Sequence, residues 1–372
     1  MLRIGITGQG GFVGTHLFNT LGLQPEEFER VPFQKVYFSN RELLNEFVAK
    51  CDVIVHLAAM NRHNDPQVIY DTNIELTQKL INALDSTGSK AHILFSSSTQ
   101  EERDNEYGNS KKACRKLLYK WSQKSGSNFT GLIIPNVFGP FGQPNYNSVI
   151  ATFCYQLVRN EKPTIDIDGE LKLIYVGELV EVILSEIRSL KSKEEISVPF
   201  TATAKVSEIL FLLEKYKLEY QERGIIPNID SSFELNLFNT FRCYIDTETH
   251  FPVSFVEHKD NRGSFVEIIR LGVGGQVSFS TTVSGITRGN HYHTRKIERF
   301  AVIKGKALVQ LRRVGTDEVL DFYLDGENPS YVDMPIWHTH NIKNVGTEVL
   351  YTIFWINEFY DPKDPDTYFE NV

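Results

Sequence analysis

Two groups of side chains in this sequence have the types and spacing to do chemistry. The first is Tyr107-Gly108-Asn109-Ser110-Lys111, a phenol and an ammonium at an i, i+4 interval. In a helix that interval stacks both on one face. A cation beside a phenol favours the phenolate, which draws the phenol toward the working pH range as a proton donor. Just upstream, Ser96-Ser97-Ser98 ends an apolar run, where a hydroxyl can hold a substrate carbonyl. The second group is His291-Tyr292-His293, followed by Glu298. Alternate residues of a strand share a face, so both imidazoles point the same way and Glu298 can return on the next strand. Imidazole and carboxylate together suit Zn²⁺, and also Mn²⁺ or Fe²⁺. A third feature serves a ligand: Thr7-Gly8-Gln9-Gly10-Gly11-Phe12-Val13-Gly14 separates the apolar run 3–7 from a helical stretch. Gly8, Gly11 and Gly14 fit a turn that presents backbone N–H groups, those of Phe12 and Val13 included, to a pyrophosphate at a helix N-terminus.

These residues need elements to position them. Residues 3–7, 35–39, 53–57, 92–96 and 130–135 read as strands, and 11–20, 41–49, 66–85 and 107–122 as amphipathic helices. Strands alternating with helices predict a parallel sheet of the α/β Rossmann-type, doubly wound class. From residue 253 the pattern changes to short alternating runs with turn signals, which predicts an all-β barrel. The boundary is expected at 245/246, giving domains 1–245 and 246–372. After the presumed second strand, 35–39, comes Ser39-Asn40-Arg41 in place of the Asp or Glu that accepts from ribose hydroxyls. Small polar groups and a cation there suit a 2′-phosphate, so NADPH is expected, with Asn40 and Arg41 in its site.

Composition narrows the classes. The 372 residues suit two domains, and 41% hydrophobic with 23% charged residues suits globular folding. Lys+Arg 39 against Asp+Glu 47 gives a net charge of −8, and with no basic block nucleic acid is excluded as a partner. There is no apolar run of roughly 18 residues to span a membrane. Four scattered cysteines without CxxC spacing, and no signal-peptide pattern at the start, indicate a reducing, cytoplasmic setting.

As a set, the Thr7–Gly14 loop, His56-Leu57-Ala58-Ala59, Ser98, Tyr107, Lys111 and Pro135-Asn136-Val137-Phe138-Gly139-Pro140 resemble the extended short-chain dehydrogenase/reductases over about residues 1–240. The resemblance implies a Ser98, Tyr107, Lys111 triad, with Ser97 as the alternative hydroxyl. It also implies that Asp52, Leu57, Ala58 and Ala59 line the adenosine side and that Asn136 lies beside the nicotinamide. The gap between Ser98 and Tyr107 is shorter than in that family. Gly285 to Gly305 resembles the first cupin motif, and Pro335–Asn344 the second, with Trp337 where that motif has Gly. This resemblance implies His340 as the fourth ligand beside His291, His293 and Glu298, and Asn344 as its partner; His338 is expected to face away.

The segment Arg288-Gly289-Asn290-His291-Tyr292 is also similar to the cupin-fold 3,5-epimerases of keto sugars. Over nearly its full length the chain resembles the bifunctional capsule and lipopolysaccharide enzymes of UDP-N-acetyl-L-fucosamine synthesis. That implies a UDP-4-keto-6-deoxy-N-acetylhexosamine substrate, a zinc cupin that epimerises C3, NADPH reduction at C4 and a homodimer. A 4,6-dehydratase would need an acidic pair after the strand-end serines, where this chain has Thr99-Gln100. The alternative is a nucleotide-sugar 4-ketoreductase whose cupin is a binding or dimerisation module.

Overall fold

The structure, a computed structural model, describes residues 1–261 and 263–372. The chain divides into two compact units, Met1–Thr152 with Asp166–Val206 and Phe153–Ile165 with Ser207–Val372.

In the first unit, short aliphatic runs make strands β1 (Leu2–Thr7), β3 (Val53–His56), β4 (His92–Ser98) and β5 (Phe129–Ile134). With β2 (Phe28–Val31) at one edge and Lys193–Ser197 at the other, they form a six-stranded sheet in the order β2-β1-β3-β4-β5 and then Lys193–Ser197. Its pairings are parallel. Helices α1 (Phe12–Leu21), α2 (Arg41–Lys50), α3 (Pro66–Thr87) and α4 (Glu106–Ser125) follow β1 to β4. Alternation along the strands feeds two cores. Ile54, Ile93 and Phe95 pack with α2, α3 and α4, whereas Val55 and Leu94 pack with α1 and the helix Val176–Ser189. Each buried Leu or Ile contributes about 1.5–3 kcal/mol. The Rossmann-type doubly wound expectation holds.

One strand differs from expectation. Residues Lys35–Ser39 form a 3₁₀ helix, and the edge strand is Phe28–Val31. Only Phe28 and Val31 of that strand are buried, with Glu29 and Arg30 in solvent, so its sequence lacks a strand's apolar signal.

The second unit holds two antiparallel five-stranded sheets. One runs Val253–Ser254, Ser330–Met334, Glu298–Lys304, Leu350–Ile356 and Gln276–Thr282; the other runs Val319–Asp325, Lys306–Arg313, His338–Asn344, Thr287–Tyr292 and Tyr368–Phe369. Val302, Val309, Leu311, Val332 and Leu350 are among the buried residues of its core. Residues 207–245 group with this unit, not with the parallel sheet, so the division differs from the expected 245/246. Their buried polar groups explain why. Tyr220 Oη donates to Asp333 Oδ2 at 2.7 Å, Arg242 to the Met334 carbonyl at 2.9 Å, and Asn239 to the Arg295 carbonyl at 2.9 Å. Buried donors must find acceptors, and these find them on the β unit. Among the described residues, no helix is long and apolar enough to cross a membrane.

Candidate functional site

The first site forms where β1 and β4 end and α1 and α4 begin. Gly8 has φ +78°, and its carbonyl accepts from Gly11 N–H at 2.9 Å. A Cβ on Gly14 would lie 2.3 Å from that carbonyl, so only glycine lets α1 close against the turn. Gly11 is the N-cap of α1 and supplies no side-chain hydrogen bond, so the first-turn N–H groups are not capped from there and can meet an anion. Leu57 and Ala58 adjoin this turn, donating to the Thr7 carbonyl (3.1 Å) and Thr7 Oγ1 (3.4 Å).

Other expected cofactor residues are placed differently. Asp52 precedes β3 and forms a bidentate pair with Arg3, its oxygens 3.1 and 2.7 Å from the guanidinium. That is the N-terminal edge of a parallel sheet, whereas ligands bind beyond the C-terminal edge, so Asp52 is a structural anchor and not an adenosine contact. Asn40 caps α2, accepting from Glu42 and Leu43 N–H. Arg41 reaches Ser86 Oγ at 3.1 Å. Neither follows the second strand; Pro32-Phe33-Gln34 does, and Phe33 N–H donates to Gln9 of the glycine-rich turn at 2.9 Å. No acid stands there either. Asn136 ties its strand to the neighbour, donating to the Lys172 carbonyl at 3.2 Å, and Ala59 is exposed.

The expected i, i+4 pair lies in the first two turns of α4. Asn105 caps the helix, accepting from Gly108 N–H at 2.8 Å. A Cβ on Gly108 would stand 2.0 Å from the Gln100 carbonyl, so this glycine brings α4 against the end of β4. Lys111 is buried, with Nζ 3.4 Å from Ser96 Oγ, 4.6 Å from the Phe95 ring centre and 5.9 Å from that of Tyr107. Ser98 shares the side of β4 with Ser96 by strand alternation, and its hydroxyl accepts from Gln100 N–H at 3.2 Å. Ser97 faces the other way, bonded to Glu101, which pairs bidentately with buried Arg115 at 2.9 and 2.8 Å. This separates the two hydroxyls by environment: Ser98 is on the side of Ser96 and Ser97 is built into an ion pair.

Burial lowers Lys111 to about 8, since desolvation disfavours the ammonium. It raises Tyr107 to about 12, with Tyr146 adding to the effect. The expected lowering of the phenol by Lys111 is not found, because desolvation outweighs a cation at this separation. A phenol that keeps its proton is still suited to donating one.

The second site lies between the sheets of the β unit. His291 and His340 are paired across neighbouring strands of one sheet, His293 lies just beyond the first of these strands, and Glu298 begins a strand of the other sheet. One ligand atom from each of the four lies within 4.8 Å of all the others. Glu298 Oε2 is 3.1 Å from Nε2 of both His293 and His340. Each ring gives its Nδ1–H to a carbonyl, His293 to Asp366 at 2.5 Å and His340 to His338 at 3.2 Å. Both Nε2 lone pairs therefore face a carboxylate oxygen, and His340 Nε2 is buried without a hydrogen bond. Lone pairs converging on a carboxylate need a cation between them, so these donors fit a divalent metal. Burial, with His340 and His293 adding, holds His291 near 4 and hence neutral, as a ligand must be.

Trp337 takes φ +59°, a left-handed conformation that glycine adopts freely, while stacking on Tyr292 at 5.6 Å. His338 stays outside the cluster, with Nδ1 bonded to the Ile336 carbonyl at 3.0 Å. His338 shares its side of the strand with His340 by alternation, yet only His340 joins the cluster. Asn344 does not touch the cluster. It holds the Thr282 and Glu348 carbonyls, each at 2.8 Å. Asp366, which braces His293, had no signal in the sequence.

Comparison with known proteins follows this division. The model of the NAD-dependent epimerase/dehydratase family matches residues 4–198, and that of the polysaccharide biosynthesis C-terminal domain matches residues 258–368. A UDP-2-acetamido-2,6-beta-L-arabino-hexul-4-ose reductase of Pseudomonas aeruginosa is 34% identical over 99% of this chain and 98% of its own. The spore coat polysaccharide biosynthesis protein SpsL of Bacillus subtilis is 28% identical over 30% of this chain and 80% of its own. The crystal structure of the capsular polysaccharide assembling protein CapF of Staphylococcus aureus covers 100% of both chains, with 36% identity and a TM-score of 0.63.

Proposed function

From the premise that this chain belongs to the NAD-dependent epimerase/dehydratase family and resembles CapF along its whole length, we propose a bifunctional nucleotide-sugar enzyme of polysaccharide biosynthesis. Its substrate is a UDP-4-keto-6-deoxy-N-acetylhexosamine, the β unit epimerises C3, and the first unit then reduces C4 to UDP-N-acetyl-6-deoxy-L-talosamine. The observation that carries this reading is a Tyr107/Lys111 helix pair and a His₃Glu cluster in one chain, alignable end to end with a reductase named for a UDP-2-acetamido hexul-4-ose.

The chemistry orders the steps. A C4 ketone acidifies the C3 hydrogen, so removal and return of that proton must precede reduction. NADPH, when bound at the Gly8–Gly14 turn, supplies the hydride. Ser98 then holds the C4 oxygen and Tyr107 gives its proton to the alkoxide as charge develops, while Lys111 favours the phenolate that results. His291, His293, Glu298 and His340 would hold Zn²⁺, which would polarise oxygens of the keto sugar. Asn40 and Arg41 are proposed toward the cofactor ribose, together with the missing acid that favours NADPH over NADH.

The test is a product analysis. Incubated with the UDP-4-keto sugar and NADPH, the protein should oxidise the cofactor stoichiometrically and yield, by NMR, a sugar inverted at C3 and reduced at C4. Reduction with C3 retained would leave the ketoreductase-only alternative.

A further inference from the structure

Two residues of the His₃Glu cluster, His293 just after a strand of one sheet and Glu298 at the start of a strand of the other, are joined by the loop 294–297. The loop's conformation therefore sets the distance between sheets at the cluster. A four-residue loop has no ladder to fix it, and its N–H groups must bond elsewhere or face water. Here all four are taken by two side chains. Thr294, Arg295 and Lys296 N–H donate to the Asp366 carboxylate at 3.0, 3.0 and 2.9 Å, and Ile297 N–H to Asn357 Oδ1 at 2.8 Å. Thr294 Oγ1 adds a fourth bond to Asp366 at 2.6 Å. Asp366 is 1% exposed, so four donors replace the water around its charge.

The same residue acts on the ligand itself. The Asp366 carbonyl accepts from His293 Nδ1–H at 2.5 Å, which leaves Nε2 as the ligand atom toward Glu298. Carbonyl and carboxylate point to His293 and the loop at once because Asp366 has φ +39°, a left-handed conformation that Asp tolerates better than most residues. Neighbours hold the segment in place: Lys296 Nζ donates to the Pro365 carbonyl at 2.5 Å and Arg295 to Asp364 Oδ1 at 3.0 Å.

We propose that Asp366 is the positioning residue of the metal site, its carboxylate fixing the loop between His293 and Glu298 and its carbonyl fixing the His293 tautomer. This rests on the four side chains taking a metal. Outer partners that orient a ligating imidazole govern affinity by about 10- to 100-fold.

The test measures metal affinity of the full-length protein, with Zn²⁺ by chelator competition and Co²⁺ by its visible spectrum. Asp366→Ala should weaken Zn²⁺ by about 10- to 100-fold and change the intensity of the Co²⁺ bands. Asp366→Asn, which replaces one acceptor oxygen by an amide, should fall between it and wild type. Asp364→Ala removes only the exposed pair with Arg295 and should stay within about twofold, the size expected for a surface ion pair. NADPH binding by the first unit should be unaltered throughout. If Asp366→Ala does not fold, Asp366→Asn and Thr294→Val decide, and wild-type affinity and spectrum in both would overturn the proposal. Failure of the wild-type protein to bind either metal would instead overturn the metal reading itself.

Discussion

The two sites solve the same problem, holding reactive groups in register, by different means. The first is carried by the topology of a parallel sheet. Its turn, hydroxyl and i, i+4 pair lie at strand ends and helix starts, so β1, β4, α1 and α4 place them as soon as the sheet forms. The second is assembled across two sheets, and its ligand geometry depends on a short loop braced by a distant aspartate. Their electrostatics differ too. Lys111 is a buried cation whose charge is disfavoured by burial, poised to change state near pH 8. In the cluster, imidazole nitrogens and a carboxylate oxygen converge within 4.8 Å of one another. A site fixed by topology announces itself in short motifs, whereas a site fixed by a loop clamp does so only in part.

That contrast can be broken at several points. The largest effect is expected from His340→Ala, which removes a ligand from the centre of the cluster. Equilibrium dialysis should show Zn²⁺ affinity reduced more than about 100-fold, while NADPH binding is unchanged and His338→Ala retains the metal. Loss of metal in His338→Ala but not His340→Ala would reverse the ligand assignment. Next comes Gly108→Ala, whose Cβ would press on the Gln100 carbonyl. Overpacking of this kind costs about 3 kcal/mol, so the first unit should unfold at lower denaturant, and reduction should fall with it. Wild-type stability would show that α4 can move away from the strand end.

Smaller effects concern protons and phosphate. Lys111 is an ammonium below about pH 8 and loses its charge above it. Tyr107, held near 12, stays protonated over the same range. The rate of C4 reduction should therefore be level below pH 7.5 and fall about tenfold per unit above pH 8.5. A profile level to pH 10 would mean that Lys111 keeps its proton. Arg41→Asp should weaken NADPH by about tenfold relative to NADH, since a phosphate would meet a carboxylate. Equal loss of both cofactors would remove Arg41 from the 2′-phosphate site.

Much of this arrangement was legible in the residues. Periodicity placed α1 to α4 and most strands within a few positions, because their buried faces are aliphatic and regular. It missed Phe28–Val31, an edge strand with charges in the middle, and took the apolar 3₁₀ turn Lys35–Ser39 in its place. Asp52 was misplaced for a related reason: the resemblance set it on the adenosine side, but it precedes β3, and only strand direction reveals that it faces Arg3. The His-x-His and Glu298 signal was local and held together. Trp337 hid the second motif's turn, since no propensity assigns φ +59° to tryptophan. Asp366 was invisible because its partners, Thr294 to Lys296, are some seventy positions away. Residues 207–245 were assigned to the sheet by continuity, and only the partners of Tyr220 and Arg242 place them otherwise.

The central claim is a division of labour, with proton exchange at C3 in the β unit and reduction in the first. It is tested most directly by NMR of the UDP-4-keto sugar in D₂O without NADPH. The intact protein should place deuterium at C3. Tyr107→Phe should keep that exchange while losing roughly 100-fold or more in NADPH oxidation, because only the proton donor to the alkoxide is removed. His340→Ala should lose the exchange. Exchange abolished by Tyr107→Phe and retained by His340→Ala would contradict the account and move the proton chemistry into the reductase site.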